Sequence, residues 1–312
     1  MDNFWIVARQ VWILFALIGA GALARRVKLV DDAACRGFVN VLLHIVTPCL
    51  IVHVFQRPFD RAMLSQLGIA FAVASAAHIA VIALSALTVR GRDGSAAPVL
   101  RLATVFSNAG FMGIPLEQAI LGDEGVFFGI VYVAVFNVVM WTWGVRVMRR
   151  RGENRVPVRS MFVNPGTTGL AVGLPLFLFS VELPDMLAVP VSMCADMNTP
   201  LAMLTIGYYL AGAKFGPTLR LPAAYIASAV RLVVFPLLLV AALYPFRSSL
   251  SRDMMLALVT AASAPVAAMV AMFAARYGRD VELGVGLVSG TTLASVLTMP
   301  AVVAVAMALL GG

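Results

Sequence analysis

The residues best suited to bind a small molecule lie in Ser107–Leu116, SNAGFMGIPL, inside an otherwise apolar run. Two glycines and a proline interrupt the helix that such a run would form. In a membrane, the backbone groups that a break frees need partners in the protein or must line a cavity. The half-helix after the break points free N–H groups and a positive dipole end at the gap, which suits a carboxylate. The residues assigned to this anion site are Ser107, Asn108, Ala109, Gly110, Gly113 and Pro115.

A second interrupted run, Ala262–Met269, has the sequence ASAPVAAM. It contains a proline but no glycine, and its small residues favour a close crossing with the first break. Its candidate site residues are Ser263, Pro265 and Met269. Because this half is less polar, we expect an amphipathic anion whose carboxylate is held mainly by Ser107–Leu116.

Ionisable residues within apolar runs are costly and are functional candidates. Asp196 and His44 could pair or bind a proton in turn, while His44 and His78 could equally be hydrogen-bonded packing residues. Arg231 could neutralise Asp196, attract an anionic solute, or anchor helices through backbone carbonyls. Glu117, which directly follows the break, could be hydrated in the same cavity.

Asn137 is a polar residue on an otherwise apolar run, and it could either face the break or join helices by hydrogen bonding. Cys35, Cys49 and Cys194 are odd in number and lack metal-ligand spacing, so neither a disulfide framework nor a metal site is indicated. No cofactor is predicted. An intramembrane enzyme would need a catalytic constellation at depth, and the sequence offers none.

The elements that position these residues are predicted to be transmembrane helices. The chain has 312 residues, of which 61% are hydrophobic and 12% charged, against roughly 25% charged in soluble domains. Long apolar runs without alternation exclude a β-barrel, and each can cross the bilayer with about 20 residues. The ten predicted spans are 4–24, 37–55, 63–88, 98–120, 126–148, 165–182, 186–212, 222–245, 253–275 and 283–309. They form one all-α polytopic membrane domain over 1–312.

The net charge of +8 reflects topology rather than nucleic-acid binding. Seventeen arginines and lysines fall in loops on one side, whereas only Arg57, Arg61, Arg247 and Arg252 fall on the other. By the positive-inside rule, the first side, including the basic loop at about 149–162, is cytoplasmic. Both termini are then periplasmic or extracellular. The first run lacks the pattern of a cleaved signal peptide.

An offset of about 150 residues aligns the chain with itself, giving repeat 1 at about 1–148 and repeat 2 at about 163–312. The aligned pairs are His44 with Asp196, Thr47-Pro48 with Thr199-Pro200, His78 with Arg231, Ser107 with Ser263, and Gly122 with Gly278. Five spans in each repeat make the second copy enter the membrane from the opposite side. Such 5+5 inverted repeats are typical of transporters, whose substrate sites lie where discontinuous helices meet. Spans 4 and 9 are the broken, crossing pair.

These residues also carry a family resemblance. Ser107–Leu116 and the positions after it resemble the fourth and fifth helices of the auxin efflux carrier family, particularly of its bacterial members. Similar motifs of the second half are found from Asn164-Pro165-Gly166 onward. The other residues that carry the resemblance are Gly122, Gly125, Tyr132, Phe136-Asn137, Trp141, Thr199-Pro200-Leu201-Ala202-Met203, Gly207, Arg231-Leu232, Pro236, Pro265, Phe273-Ala274, Tyr277-Gly278, Thr291-Thr292 and Pro300.

The resemblance implies the fold of the bile-acid, arsenite and riboflavin transporter superfamily. Spans 1, 2, 6 and 7 would form a scaffold, and spans 3–5 and 8–10 a transport unit that moves like an elevator. It further implies an organic anion substrate, a homodimer through the scaffold, and a bacterial inner membrane location.

Two departures from related families bear on the mechanism. Met269 stands where bacterial relatives often carry an asparagine, so one polar substrate contact is absent. The sodium-coupled bile-acid branch uses an acidic residue near the second break, and no acid lies between Asp253 and Asp280. Sodium coupling is therefore disfavoured, while proton coupling and uniport stay open. A membrane sensor or scaffold that binds an anion without transporting it is the alternative function.

Overall fold

The computed structural model describes residues 2–89, 94–149, 165–212 and 221–311, without the side chains of 2–8 and 165–167. These residues form eleven helical segments, α1 to α11, and the only β-type pairing among them is one isolated bridge. In chain order the helices are Asp2–Arg26, Asp32–Phe55, Arg61–Thr88, Ala96–Val105, Ala109–Met148, Pro165–Leu178, Asp185–Ala211, Pro222–Phe246, Arg252–Ser263, Met269–Arg276 and Val281–Leu310. Most of the predicted basic loop at about 149–162 lies outside the described residues.

Six helices, α2, α3, α5, α7, α8 and α11, are long and apolar enough to cross a membrane. Shorter apolar helices are Ala96–Val105 and Thr168–Leu178. The prediction of an all-helical, multi-pass membrane protein is therefore confirmed for the described part of the chain. The ten crossings and the 5+5 repeat stay a prediction.

Widened helical turns precede three prolines. The π turns at Leu42–Val46, Ala109–Gly113 and Val230–Val234 each end two residues before Pro48, Pro115 and Pro236, respectively. In each case the residue just before the proline donates its N–H to the carbonyl five residues back. A proline ring clashes with the carbonyl four residues back and supplies no N–H, and a π turn absorbs that mismatch without ending the helix. These prolines therefore bend long helices that stay continuous.

The helices pack into two groups. Helix α1 crosses α7 so closely that a Cβ on Gly21 would overlap the Leu204 carbonyl, and one on Gly207 would overlap the Ile18 carbonyl. Helix α2 packs against α6 and α7, so α1, α2, α6 and α7 form one group. In the second group α5 packs on α9 and α3, α11 on α9 and α10, and α8 on α4. Both predicted breaks lie in the second group.

Candidate functional site at the helix crossover

Two helices are broken at the predicted places, and the breaks pair with each other. Residues 106–108 separate α4 from α5, and residues 264–268 separate α9 from α10. Ser107 and Val266 form an antiparallel bridge, in which the Asn108 N–H donates to the Pro265 carbonyl at 2.6 Å. The Ala267 N–H donates in turn to the Phe106 carbonyl at 2.9 Å. Backbone groups freed in one helix are thus satisfied by the other, as a low-dielectric interior requires.

A third helix holds the bridge in place. Thr291 of α11 accepts a hydrogen bond on its hydroxyl oxygen from the Val266 N–H at 3.0 Å. The same hydroxyl donates to the Leu287 carbonyl at 2.7 Å. Thr291 was predicted as part of the family motif but not as part of the site. A hydroxyl that accepts a hydrogen bond from a distant backbone N–H cannot be recognised from the sequence.

Arg231 joins the C-terminal ends of the two half-helices that precede the breaks. It is 0% exposed in the π turn of α8, and its Nη1 donates to the Val105 carbonyl at 2.8 Å. Its Nη2 donates to the Ala262 carbonyl of α9. Of the three roles considered for Arg231, the anchoring of helices through backbone carbonyls is the one observed. It makes no ion pair with Asp196.

This arrangement leaves the crossover positively polarised. A helix carries about +0.5 charge at its N-terminus and about −0.5 at its C-terminus. Arg231 compensates the C-termini of α4 and α9, whereas α5 and α10 begin at the crossover with no side-chain cap on their N-termini. The two N-terminal ends together supply about +1 charge to the crossover.

The polar residues of the first break are at this crossover and are occluded. Ser107 is 1% exposed and Asn108 is 7% exposed. The Ser107 hydroxyl has no hydrogen-bond partner among the described residues. On the other side Ser263 is fully buried and its hydroxyl donates to the Thr260 carbonyl at 2.8 Å. Ser107 therefore has a free hydrogen-bonding group at the crossover, and Ser263 has already used its donor.

The glycines act differently from the expectation. The unwound residues 106–108 precede Gly110 and Gly113, which lie with Ala109 in the π turn at the start of α5. Neither glycine has a positive φ. Gly113 instead permits a close helix contact, because a Cβ there would lie 3.3 Å from the Ala261 Cα. The break is thus held open by cross-pairing with Pro265 and its neighbours rather than by glycine conformations, and Pro115 and Met269 belong to the half-helices that follow.

Two predicted site residues are not at the crossover. His44 is exposed and its Nδ1 donates to the Asn40 carbonyl, while Asp196 is exposed on α7. No hydrogen bond or ion pair joins His44 to Asp196 in the part of the chain that is described, so the expected pair is not formed.

Asn137 donates from its side-chain amide to the Val133 carbonyl one turn earlier. The bond lies within α5 and decides neither predicted role of Asn137, facing the break or joining helices. The adjacent Phe136 ring packs 5.2 Å from the ring of Phe106 at the first break.

His78 and Glu117 are buried near the crossover helices. His78 is 1% exposed, donates from Nδ1 to the Ala74 carbonyl and packs its ring 4.8 Å from the ring of Tyr132. These contacts favour the packing role for His78. Glu117 is 0% exposed on α5, and neither carboxyl oxygen has a hydrogen-bond partner among the described residues.

A group of charged residues away from the crossover was not predicted. Arg57, just after α2, pairs with Glu124 of α5 at 2.8 Å, and His53 lies 4.0 Å from Asp123. They line a cavity of about 530 Å³ between the end of α2, the kink of α5 and helix α7. The acidic pair follows Gly122, whose φ of 64° kinks α5. These four residues join the two helix groups. The available sequence signal was a glycine, Gly122, followed directly by two acidic residues.

Comparison with known families decides the class of this protein. A family profile described as membrane transport protein matches residues 6–303, nearly the whole chain. The chain belongs to this family. The profile is that of the auxin efflux carrier membrane domain, so the resemblance from the motifs is confirmed at the level of the family. A search of the curated proteins finds no match. Both breaks and Arg231 lie within the matched region of this membrane transport protein.

Proposed function

We propose that this protein is a secondary carrier that moves a small organic anion across the bacterial inner membrane. The observation that supports it most directly is the polarity of the crossover. Two half-helix C-termini are compensated by Arg231, and two half-helix N-termini have no side-chain cap. Uncapped helix N-termini at a break in the membrane are suited to the negative group of a substrate.

The proposed substrate is an amphipathic carboxylate. Ser107 and Asn108 offer a hydroxyl and an amide beside the N-terminus of α5. The opposite side offers Val266 and Ala267 of the second break and Met269 at the start of α10, which are apolar. A carboxylate at the first break with a hydrocarbon or aromatic portion against the second would use both halves, because apolar contact and charge are then each matched.

The proposed mechanism is an elevator-like alternation between two access states. Both breaks lie in the second helix group and are joined by backbone hydrogen bonds, which favours movement of that group as a unit against α1, α2, α6 and α7. The related backbone turn at Gly122 and Gly278, with φ of 64° and 57°, supports an internal repeat. The outward termini and the homodimer through the first helix group are further parts of the proposal.

A binding experiment tests the site. Purified protein is heated with mono- and dicarboxylates, indole acids and hydrophobic weak acids, and a ligand at about 100 times its Kd stabilises the folded state by about 2.7 kcal/mol. We expect Asn108→Ala to lose the shift while keeping its ligand-free melting temperature. Asn40→Ala, an asparagine exposed on α2, is the matched control and should keep the shift. An equal loss in both variants, or in neither, would place the ligand away from the crossover.

A flux experiment separates transport from binding alone. Proteoliposomes loaded with buffer are given the ligand that stabilises the protein, and uptake is compared with protein-free vesicles. Uptake above that background, lost in Asn108→Ala, is the expected result. Binding without uptake would indicate the sensor or scaffold. Dependence on a sodium gradient would indicate a symporter of the bile-acid type.

A further inference from the structure

Glu117 is the one buried carboxyl group in the described residues that has no partner. It lies on α5 one turn after Gly113, and its Oε1 would be 3.5 Å from a Cβ at that glycine. Across from it, a Cβ on Gly129 would overlap the carboxyl group itself. The side chain therefore occupies a space made by two glycines, one before and one after the kink at Gly122.

No cation in the described part of the chain compensates Glu117. Neither a hydrogen bond nor an ion pair joins it to any described residue. The titratable or charged side chains of α5 and of the elements packed against it are Asp123, Glu124, Tyr132 and Arg146 on α5, Arg9, Arg25 and Arg26 on α1, Asp32, Cys35, Arg36, His44, Cys49 and His53 on α2, Arg61 and His78 on α3, Arg101 on α4, Asp185, Cys194, Asp196, Tyr208 and Tyr209 on α7, Arg252 and Asp253 on α9, and Arg276 on α10. An isolated carboxylate in such a site costs many kcal/mol, whereas the neutral acid costs far less.

We infer that Glu117 is a proton-binding site coupled to transport, a role that rests on the proposed carrier function. In the described conformation the carboxylate has taken up one proton and is a neutral acid enclosed between Gly113 and Gly129. The proton leaves, regenerating the carboxylate, only when water reaches this space. Gly113 lies close to the Ala261 backbone of α9, and Gly129 follows the kink at Gly122. A movement of α9 away from Gly113, or a change in the angle of the kink, therefore opens the space.

Coupling follows from the position of Glu117 on α5, the helix that carries the first break. The helical turn that contains Glu117 continues directly from the π turn, in which the Met112 and Gly113 N–H groups donate to the Asn108 carbonyl. A state that hydrates Glu117 therefore shifts the backbone that forms the anion site. One proton then accompanies each transport cycle, and a pH difference of about one unit supports up to about tenfold accumulation of the anion.

Infrared spectroscopy of the full chain tests the protonation without a substrate. Wild type should show the carbonyl stretch of a protonated carboxylic acid at neutral pH. Glu117→Gln should lack it, and the exposed control Glu282→Gln should retain it. If the Gln variant does not fold, Glu117→Met replaces the acid with an apolar side chain of similar length. Absence of the band in wild type, or its persistence in the folded variant, overturns the inference.

Proteoliposomes then test the coupling. An imposed pH difference should drive accumulation in wild type and in Glu282→Gln, while Glu117→Gln should exchange the anion across the membrane without accumulating it. Accumulation by Glu117→Gln at the wild-type level overturns the inference and leaves the carrier function standing. A wild-type protein that shows the infrared band but carries no anion overturns the carrier function, and with it the coupling.

Discussion

Replacement of Arg231 by methionine should destabilise the protein strongly. Methionine fills a similar apolar space but leaves the Val105 and Ala262 carbonyls without their donor, in a region with no access to water. A buried acceptor that loses its partner costs about 1 to 3 kcal/mol, so the two carbonyls together cost about 2 to 6 kcal/mol. Removal of the buried charge recovers part of its desolvation cost, which places Arg231→Met toward the lower half of that range.

The measurement is the melting temperature of purified protein in detergent. For a cost of about 2 to 4 kcal/mol, at about 2 to 4 °C per kcal/mol, the expected decrease in melting temperature lies between about 4 and 16 °C. Arg247→Met, on an exposed arginine that stacks on Tyr244, is the control and should melt like wild type. Arg231→Lys keeps the charge but loses the planar guanidinium group that reaches two carbonyls. Its melting temperature should therefore lie between those of Arg231→Met and Arg247→Met. An Arg231→Met protein as stable as the Arg247→Met control would refute the idea that Arg231 stabilises the protein by binding the Val105 and Ala262 carbonyls.

Three further changes test the packing and the bridge. Gly207→Ala forces a Cβ into the backbone of α1 and should cost about 1 to 3 kcal/mol in thermal unfolding. Thr291→Val removes the acceptor for the Val266 N–H and should cost about 1 to 3 kcal/mol and weaken ligand binding in the same thermal assay. Arg57→Glu should lose the pair with Glu124, and the charge-swapped double variant should recover it, with a coupling of about 0.2 to 1 kcal/mol in a double-mutant cycle.

Matched controls exist for the first two changes. Gly19→Ala lies on α1 with nothing near its added Cβ and should not destabilise the protein. Thr292→Val loses only a hydrogen bond to the Val288 carbonyl within its own helix. If Gly19→Ala costs as much as Gly207→Ala, or Thr292→Val as much as Thr291→Val, the close crossing and the bridge are not the cause. Full stability of the single variant Arg57→Glu would exclude the ion pair.

The sequence predicted what depends on local chemistry. Proline, together with glycine at the first break, marked both regions, because these residues disfavour a regular helix where they stand. The offset of 156 residues aligned Gly122 with Gly278, and both adopt a positive φ that few other residues tolerate. The exact unwound residues differ, since 106–108 are stabilised by pairing with Pro265 and Ala267, which local sequence does not reveal.

Contacts between distant residues were the part that the sequence could not supply. Arg231 reaches a carbonyl 126 positions away, and backbone carbonyls look alike in any sequence. The expected pairing of His44 with Asp196 treated equivalent positions of a repeat as neighbours, although equivalence fixes a similar environment and not a contact. Arg57 and Glu124 come together only because α2 meets the kinked α5.

The bridge between the two breaks consists of backbone atoms alone. Substitutions at Ser107 or Val266 can therefore change the shape and polarity presented to a ligand without removing the hydrogen bonds that hold the crossover together. In the proposed carrier, the part of the sequence that builds the site and the part that selects its ligand are thus largely separate. Substrate preference in such a protein can diverge, or be redesigned, through a few side chains while the scaffold of the site is preserved.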